Sequence, residues 1–344
     1  MNPPTVSVLM SVHNGERFLT EAIVSIHRQT WTDFEFIIID DASTDTSGAI
    51  IHDWASRDHR IIPITNETNL GLTRSLNKGI RLARGRWIAR MDADDRSLPE
   101  RLSRQLDFLD HHPGVGLLGS AAWVMDPEKN SGDTCQINPA THPEICWRLV
   151  LANPFFHASV IFDRRIALDN PYDESLRFGQ DFELWGRFLA VTKGANLAVP
   201  LVRLGRHEQR VSVQHAQRQS EIGRRIIKQR LLKLMPESEW NDDLIRQMRQ
   251  IVQTDWPTPT ETPEAWKRLL DLFLAFNRQR PHDHTPMQNI RSQLVRRLLF
   301  SLLSPGGVRP SRSLLRIIIT DFPLATLEEL FKHMRKRVSL NKKS

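Results

Sequence analysis

The sequence predicts an α/β fold with a mainly parallel sheet, followed by a C-terminal α-helical region, and three observations support this. Short apolar runs alternate with helix-length amphipathic stretches over roughly the first 120 residues, a pattern typical of βαβ units. Acidic residues follow two of these runs directly, at the position where open α/β sheets bind ligands. From about residue 220 the apolar runs give way to long amphipathic stretches, which predict helices.

Apolar periodicity places the individual elements in chain order. The predicted strands are Val6–Ser11, Phe34–Ile39, Ile61–Ile64, Trp87–Met91, Val115–Ser120, Ala158–Phe162 and Val199–Leu204. The predicted helices of the same region are Arg17–Gln29, a segment capped by Ser43 or Thr44 that ends near Ala55, Thr73–Ala83, the segment from Pro99 to His111, and Asp181–Ala190. The predicted C-terminal helices are Glu221–Leu234, Asp242–Gln253, Pro263–Phe276, Pro286–Leu303 and Pro323–Val338. A domain boundary is expected near residue 215, which gives domains 1–215 and 216–344.

Length and composition exclude several classes of protein. A chain of 344 residues can bury one large core or two. We find no apolar run close to the roughly 20 residues that span a bilayer, and no secretory signal at the N-terminus. The two cysteines, Cys135 and Cys146, fit a reducing compartment better than a disulfide framework. We therefore expect a cytoplasmic protein.

Charge is distributed unevenly along the chain. Residues 207–344 contain 25 Lys and Arg against 14 Asp and Glu, a balance of +11, whereas the preceding residues have a balance of −4. Such a basic region can meet phosphate, either on an anionic membrane surface or on a charged acceptor. The alternative is a solvated helical face. Peripheral contact with the inner face of the cell membrane is thus one of two open interpretations.

Two acidic clusters follow predicted strands. Asp92, Asp94 and Asp95 stand at the end of one strand, where their carboxylates repel one another unless a cation lies between them. A hard ion with oxygen ligands, Mn²⁺ or Mg²⁺, fits best. The alternative is a solvated acidic turn before a helix capped by Ser97.

The second cluster is Asp40-Asp41, which could accept hydrogen bonds from a nucleotide base or ribose. Its alternative is a helix N-cap. The first strand is followed by His13-Asn14-Gly15 rather than G-x-G-x-x-G, which argues against a nicotinamide or flavin enzyme.

Six short segments in the first hundred residues, taken in order, resemble glycosyltransferase family 2. They are SVLMSVHNG at 7–15, IHRQT at 26–30, IDDASTD at 39–45, NLG at 69–71, NKG at 77–79 and MDADD at 91–95. The resemblance is strongest over residues 5–100, extends more weakly to about 215, and does not cover the C-terminal helices.

The resemblance implies a GT-A fold, an αβα nucleotide-binding sandwich, with a nucleotide-sugar half at about 1–100 and an acceptor half at about 101–215. It also implies non-processive transfer of a sugar, with inversion, from a nucleotide-sugar, of which a UDP-sugar is the commonest. The family pattern assigns Ser11 and Asp41 to the base, Asp92 to the ribose and donor sugar, and Asp94 to the metal. Arg74 is a candidate contact to the base or diphosphate, with a surface arginine as the alternative.

The acceptor half carries three further candidates by the same resemblance. Asp181, in GQDFELW at 179–185, resembles the family's catalytic base, although Gln180 replaces the usual Glu; Glu183 is a fallback base and an N-cap the alternative role for Asp181. His157, in NPFFHASV, is expected on the acceptor side. His207, in RLGRHEQRVS, is a candidate metal or diphosphate ligand. For both histidines the alternative is a structural or surface residue.

The leading interpretation is a metal-dependent inverting glycosyltransferase acting on a saccharide or lipid-linked acceptor, such as a lipopolysaccharide or other polysaccharide precursor. One alternative is a sugar-1-phosphate nucleotidyltransferase, although the Gly-rich basic loop that such enzymes carry after the first strand is missing here. The other alternative is a non-catalytic protein that binds nucleic acid through its basic tail. That tail lacks a recognisable reading motif, so no nucleic-acid partner is expected.

Overall fold

The fold is taken from a computed structural model, which describes residues 3–125, 133–205, 215–253, 262–280 and 283–303. The chain divides into two compact units. The first comprises residues 1–149 and 153–223, and the second comprises residues 150–152 together with the chain from residue 224. The boundary expected near residue 215 stays a prediction.

The strands of the described residues form one mixed sheet. The strands are β1 (Val6–Val12), β2 (Phe34–Asp40), β3 (Ile61–Thr65), β4 (Trp87–Asp92), β5 (Arg96–Ser97), β6 (Val115–Met125), β7 (Asp133–Gln136), β8 (Ile161–Asp163) and β9 (Lys193–Leu204). Their order is β3-β2-β1-β4-β8-β6-β9-β5, with β7 paired to β6. Pairing is parallel among β3, β2, β1 and β4 and between β6 and β9, whereas the short strands join antiparallel.

Helices connect these strands and make up the described part of the C-terminal region. They are α1 (Glu16–His27), α2 (Ser47–Arg57), α3 (Leu72–Leu82), α4 (Arg101–His111), α5 (His142–Leu151), α6 (Arg164–Asp169), α7 (Gln180–Val191), α8 (Ala216–Leu234), α9 (Asp242–Gln253), α10 (Pro263–Arg278) and α11 (His284–Leu303). The predicted α/β class with a C-terminal helical region is therefore confirmed. The helix predicted at Pro323–Val338 lies outside the described residues.

The central strands are buried on both faces, which explains their continuous apolar sequences. On one face of β1, Val8 and Met10 belong to a core that includes Leu19 and Ile23 of α1. On the other face, Leu9 meets α3 so closely that a Cβ on Gly79 would lie 2.2 Å from its Cδ1. Glycine at this position therefore allows the helix to pack directly on the strand.

The strand order fixes where a ligand can bind. The chain winds from β1 outward through β2 to β3 and then crosses back to β4 on the other side of β1. This reversal opens a crevice at the carboxyl ends of β1 and β4, the usual ligand position in such sheets. Ser11 of β1 is in register with Asp92 of β4 at that edge.

Some local expectations were wrong. The helix expected to be capped by Ser43 or Thr44 begins only at Ser47. Both expected cap residues bond to Asn14 instead. Ser43 Oγ accepts a hydrogen bond from the Asn14 backbone N–H, and the Thr44 backbone N–H donates to Asn14 Oδ1. Ser97 does not cap α4, which begins at Arg101, since Ser97 pairs with β9 as part of β5.

The strand expected at Ala158–Phe162 begins only at Ile161, because residues 157–159 form a 3₁₀ turn. Helices α5 and α6 and the short strands β5 and β7 had no counterpart in the sequence prediction. Both cysteines are free, with Cys135 exposed and Cys146 buried. Among the described helices, none is long and apolar enough to cross a membrane.

Candidate active site

Three carboxylates converge at the carboxyl end of β4. One oxygen each from Asp92, Asp94 and Asp95 can be chosen so that all three lie within 4.8 Å of one another. Asp95 is buried and accepts a hydrogen bond of 2.8 Å from the Gly205 N–H, while Asp92 and Asp94 are partly exposed. An all-oxygen donor set of this spacing suits a hard divalent cation such as Mg²⁺ or Mn²⁺. The residues present therefore fit the expected metal.

The end of β9 packs directly against this cluster. A Cβ on Gly205 would lie 2.1 Å from the Asp94 carbonyl oxygen, so only glycine fits there without a backbone shift. His207, the expected further metal or diphosphate ligand, lies two positions beyond Gly205 and outside the described residues.

A buried arginine lies beside the acidic cluster. Arg90 stands two positions before Asp92 on β4, so both side chains leave the same face of the strand. It is only 2% exposed and forms an ion pair with Asp92. Burial opposes its charge, but Asp92 outweighs that effect and raises the pKa of Arg90. The cluster therefore contains a permanent internal positive charge.

Asp41 holds the loop that leads into α3. Its carboxylate accepts hydrogen bonds from the Asn66 amide at 2.7 Å, the Leu70 N–H at 2.9 Å and the Gly71 N–H at 2.8 Å. A carboxylate offers about four acceptor sites, so about one remains for a nucleotide base. Lys78 donates to Asn66 Oδ1 at 2.7 Å and extends the network.

Two residues with left-handed backbone conformation follow the first two strands, next to the candidate nucleotide-binding residues. Asn14 has φ of 54° after β1 and Ala42 has φ of 57° after β2. A non-glycine residue with positive φ is uncommon, and such conformations concentrate at ligand sites. The His13 ring joins the two loops through Nδ1, which lies 2.9 Å from the Asp41 carbonyl oxygen.

The remaining nucleotide-side candidates differ in how firmly the structure holds them. Ser11 is partly buried at the end of β1, between Asp92 of β4 and Ile39 of β2. Arg74 is exposed and lies 3.5 Å from Glu174 in an ion pair. Its guanidinium therefore faces the segment before α7.

Asp181 lies in the first turn of α7. Its Oδ2 accepts from the Asn153 amide at 2.7 Å, and its Oδ1 accepts from the Phe182 N–H at 2.8 Å. Burial raises the pKa of Asp181, while these two hydrogen bonds and the charge of Arg90 pull in the opposite direction. A carboxylate with a raised pKa is suited to proton transfer near neutral pH.

The other acceptor-side candidates differ in the residues that they contact. His157 Nε2 lies 2.8 Å from the Tyr172 hydroxyl, and its ring meets Trp185 edge-on. Gln180 is buried. Both carboxylate oxygens of Glu183 are held by Arg187 at 2.8–3.2 Å, which disfavours Glu183 as a fallback base.

One site unites most of these residues. Arg90 ion-pairs with Asp92 and acts electrostatically on Asp181, His157 and Tyr172. The acidic cluster of β4 and the carboxylate of α7 therefore border the same crevice. Of the nucleotide-side candidates, Ser11 stands near the carboxyl end of β1 and Asp41 directly follows β2, whereas Arg74 pairs with Glu174.

Sequence reasoning missed Arg90, Asn153 and Tyr172 as members of the site. Arg90 stands inside an apolar strand, and a charged residue in a buried strand is itself a signal of function or of a buried ion pair. Asn153 belongs to the same short segment as His157. Tyr172 is the single tyrosine of the chain and lies in a stretch without periodicity.

Comparison with known proteins gives consistent matches. The family described as "Glycosyl transferase family 2" matches residues 7–151. An uncharacterized glycosyltransferase of Methanocaldococcus jannaschii is 37% identical over 194 residues, covering 55% of this chain and 66% of its own. The putative glycosyltransferase EpsE of Bacillus subtilis is 35% identical, covering 58% and 73%. The amylovoran biosynthesis glycosyltransferase AmsE of Erwinia amylovora is 31% identical, covering 54% and 70%.

Two solved structures share the fold at low identity. Residues 1–349 of TarS of S. aureus, in complex with UDP-GlcNAc, superpose with a TM-score of 0.55 at 18% identity, covering 86% of this chain and 91% of that TarS segment. The mannosyltransferase PcManGT of Pyrobaculum calidifontis, in complex with GDP-Man and Mn²⁺, gives a TM-score of 0.51 at 16% identity, covering 94% and 89%. At these identities the comparison establishes the GT-A type of fold.

Proposed function

Because the chain belongs to glycosyl transferase family 2 and is a glycosyltransferase, we propose that it moves a sugar from a nucleotide-sugar to a saccharide or lipid-linked acceptor. The transfer inverts the anomeric carbon and uses Asp181 as base. Family membership favours this function over the nucleotidyltransferase and the nucleic-acid-binding protein that the sequence left open.

The observation that carries the proposal is the position of Arg90. One buried guanidinium ion-pairs with Asp92 and also opposes the rise that burial causes in the pKa of Asp181, so the candidate base and the acidic cluster lie within electrostatic range of each other. An inverting transfer needs this arrangement, because the acceptor must approach the sugar from the side opposite the departing diphosphate.

In the proposed reaction, Asp181 accepts the proton of an acceptor hydroxyl while that oxygen attacks the anomeric carbon. The bond from the anomeric carbon to the diphosphate oxygen breaks, and the electron pair leaves with the nucleoside diphosphate. Asn153 and the Phe182 N–H orient the carboxylate. Ser11 and Asp41 hold the base, and Asp92 holds the ribose and donor sugar.

We assign the divalent cation, Mn²⁺ or Mg²⁺, to Asp94 with Asp92 and Asp95 beside it. Such a cation would neutralise negative charge that develops on the departing diphosphate. PcManGT was crystallised with Mn²⁺, which supports the choice of metal. His207 is kept as a candidate metal or diphosphate ligand, and Arg74 as a candidate contact to the base or the diphosphate.

We propose a UDP-sugar as donor, since TarS binds UDP-GlcNAc, and a polysaccharide precursor as acceptor, since AmsE acts in amylovoran biosynthesis. The excess of 11 positive charges in residues 207–344 would bring the enzyme to an anionic membrane surface where lipid-linked acceptors lie. Flotation with vesicles containing anionic lipid tests this: binding should fall as salt is raised, and binding that ignores salt or lipid charge would contradict it.

The function itself is tested in two steps. The full chain is screened by thermal shift against UDP, GDP and dTDP with and without Mn²⁺, because a ligand that binds the folded state raises Tm. The corresponding nucleotide-sugars are then incubated with an array of saccharide acceptors, and release of nucleoside diphosphate is measured. We expect one nucleotide to stabilise the chain in a Mn²⁺-dependent way.

Asp181→Asn should lower the rate of transfer by about 10²- to 10⁴-fold, as loss of a general base predicts. Asp94→Asn should lower it by about 10²- to 10³-fold, as loss of electrostatic stabilisation predicts. Asp53→Asn is the matched control, because Asp53 is an exposed carboxylate of α2 whose side chain pairs with Arg57 at 2.6 Å. Full activity of Asp181→Asn would show that another group serves as base.

A further inference from the structure

We propose that Tyr172 is a positioning residue that fixes the His157 imidazole as its Nδ1–H tautomer, so that His157 donates a hydrogen bond to a saccharide oxygen in the active site. The saccharide part of this inference rests on the proposed function, whereas the tautomer is a property of the free protein.

The tautomer follows from hydrogen-bond accounting. The Tyr172 hydroxyl is buried and lies 2.8 Å from His157 Nε2, the partner found for it within the described part of the chain. If Nε2 carried a proton and donated it, the buried hydroxyl hydrogen would face no acceptor among the residues that the structure describes, at a cost of about 1–3 kcal/mol. The hydroxyl therefore donates, Nε2 accepts, and a neutral imidazole carries its proton on Nδ1.

The surroundings keep both groups in the required ionisation states. Burial, and then the charge of Arg90, lower the pKa of His157 well below its ordinary value, and Asp92 opposes them more weakly. Burial raises the pKa of Tyr172, so its hydroxyl stays protonated. A neutral histidine beside a protonated tyrosine is what the assigned direction of the hydrogen bond requires.

Tyr172 is itself held firmly by α3. The side chain of Asn77 donates to the Tyr172 carbonyl oxygen at 2.9 Å and accepts from the Tyr172 N–H at 2.9 Å. These two hydrogen bonds fix the backbone of Tyr172 and therefore the position from which its side chain extends. The NKG segment that was singled out at 77–79 thus gains a role at the acceptor side of the site.

His157 is placed to meet a substrate. Its ring makes edge-on contacts with two other rings. The ring centroid of His157 lies 5.8 Å from that of Tyr172 and 6.1 Å from that of Trp185. Trp185 is one helical turn after Asp181, so the two side chains share a face of α7. Tyr172 and Trp185 are buried whereas His157 is partly exposed, so of these three residues His157 is the one open to contact by a substrate.

The tautomer is measured directly in the free, full-length protein by two-bond ¹H–¹⁵N correlation of the histidine rings. The His157 signals are those missing from the spectrum of His157→Gln. We expect the Nδ1–H pattern in the unmodified protein, and a shift of the population toward Nε2–H in Tyr172→Phe. A dominant Nε2–H or doubly protonated ring at neutral pH, or an unchanged ring in Tyr172→Phe, would overturn the proposal.

A matched control separates this effect from general loosening of the segment. Thr73 Oγ donates to the Leu176 carbonyl at 2.9 Å, also tying the segment of Tyr172 to α3. Thr73→Val removes that bond and leaves Tyr172 in place, so its His157 signals should match those of the unmodified protein. If Thr73→Val moves the His157 ring as Tyr172→Phe does, the tyrosine hydroxyl is not the cause.

The donor role of His157 is tested by measuring sugar transfer in variants at this position. Asparagine places its amide nitrogen near the position of Nδ1, and glutamine places it near Nε2, so His157→Asn should retain more transfer than His157→Gln or His157→Ala. Tyr172→Phe should lower kcat/KM by about 3- to 10-fold, the worth of one neutral hydrogen bond. Equal loss in all three His157 variants would refute the donor role while leaving the tautomer and the glycosyl transfer standing.

Discussion

The hydrogen bond from Asn153 to Asp181 offers the sharpest test of the proposed base. The Asn153 amide nitrogen lies 2.7 Å from Asp181 Oδ2 and stabilises the ionised carboxylate. Asn153→Ala removes this donor, and we expect the pKa of Asp181 to rise further, since burial then acts with less opposition. Because a base works only when deprotonated, the acid limb of the rate profile should move to higher pH.

The size of the shift follows from the bond. A hydrogen bond to a charged group contributes about 1.5–3 kcal/mol, and one pKa unit corresponds to about 1.4 kcal/mol, so the limb should move by about one to two pH units. Asn153→Asp should move it at least as far, because a second carboxylate then lies beside the first. The Asp side chain also keeps an oxygen for the Phe155 N–H, which Asn153 Oδ1 accepts at 3.1 Å.

The measurement is kcat/KM against pH, with the donor and acceptor identified by the panel, because this ratio reports the pKa of the free enzyme. Asn170→Ala is the control, since the Asn170 amide donates to the Ile166 carbonyl oxygen of α6 at 3.1 Å rather than to Asp181. An acid limb that does not move in Asn153→Ala, while Asp181→Asn is inactive, would refute the electrostatic reasoning and leave Asp181 a different role.

Three further outcomes are expected. In Asp94→Asn, Mn²⁺ should no longer add to the rise in Tm that the bound nucleotide gives, whereas a preserved Mn²⁺ effect would place the cation elsewhere. Gly71→Ala should lower the free energy of unfolding by about 1–3 kcal/mol in urea titration, because φ of 85° and ψ of 160° suit glycine alone, although no atom lies within 4 Å of the added Cβ. Asp58→Asn should cost about 1–3 kcal/mol at neutral pH. The hydrogen bond from Arg60 is the main cause that holds the pKa of Asp58 far below its ordinary value. The stability that ionised Asp58 contributes is therefore present above the ordinary pKa and is lost as pH falls below it. The free energy of unfolding of Asp58→Asn should accordingly depend less steeply on acid pH than that of the unmodified protein, and an equal slope would contradict the assignment.

The sequence predicts the parallel half of the fold well because burial there is two-sided. Strands such as Phe34–Asp40 are apolar at nearly every position, and the helices between them carry a clear 3.6-residue period. Prediction fails where hydrogen bonds between residues distant in the sequence, rather than apolar periodicity, decide the local structure. The start of α2 moved to Ser47 because Asn14, some 30 positions away in the chain, takes Ser43 and Thr44 as partners. Contacts of this kind leave no local pattern.

The acidic cluster was predictable because its three carboxylates are adjacent in sequence and follow a strand. The acceptor-side roles of Asp181 and His157 stay predictions that rest on resemblance alone, since each of the two residues stands alone in its segment. Asn153 and Tyr172 act on those two residues from 28 and 15 positions away. The Asn153 amide and the Tyr172 hydroxyl belong to no sequence motif that would mark them as functional, so only their proximity in three dimensions reveals them.

Arg90 shows how the two sides depend on each other. A buried arginine is costly unless its charge is paired, and Asp92 supplies the pair. The same charge reaches His157, where it favours the neutral ring, and Asp181, where it favours the ionised carboxylate. The charge of Arg90 therefore favours the neutral form of the proposed hydrogen-bond donor and the ionised form of the proposed base, while it offsets repulsion within the acidic cluster. Replacing Arg90 by a neutral residue should thus disturb donor binding and proton transfer together, unlike substitutions at Asp94 or Asn153, each of which acts on one side of the site.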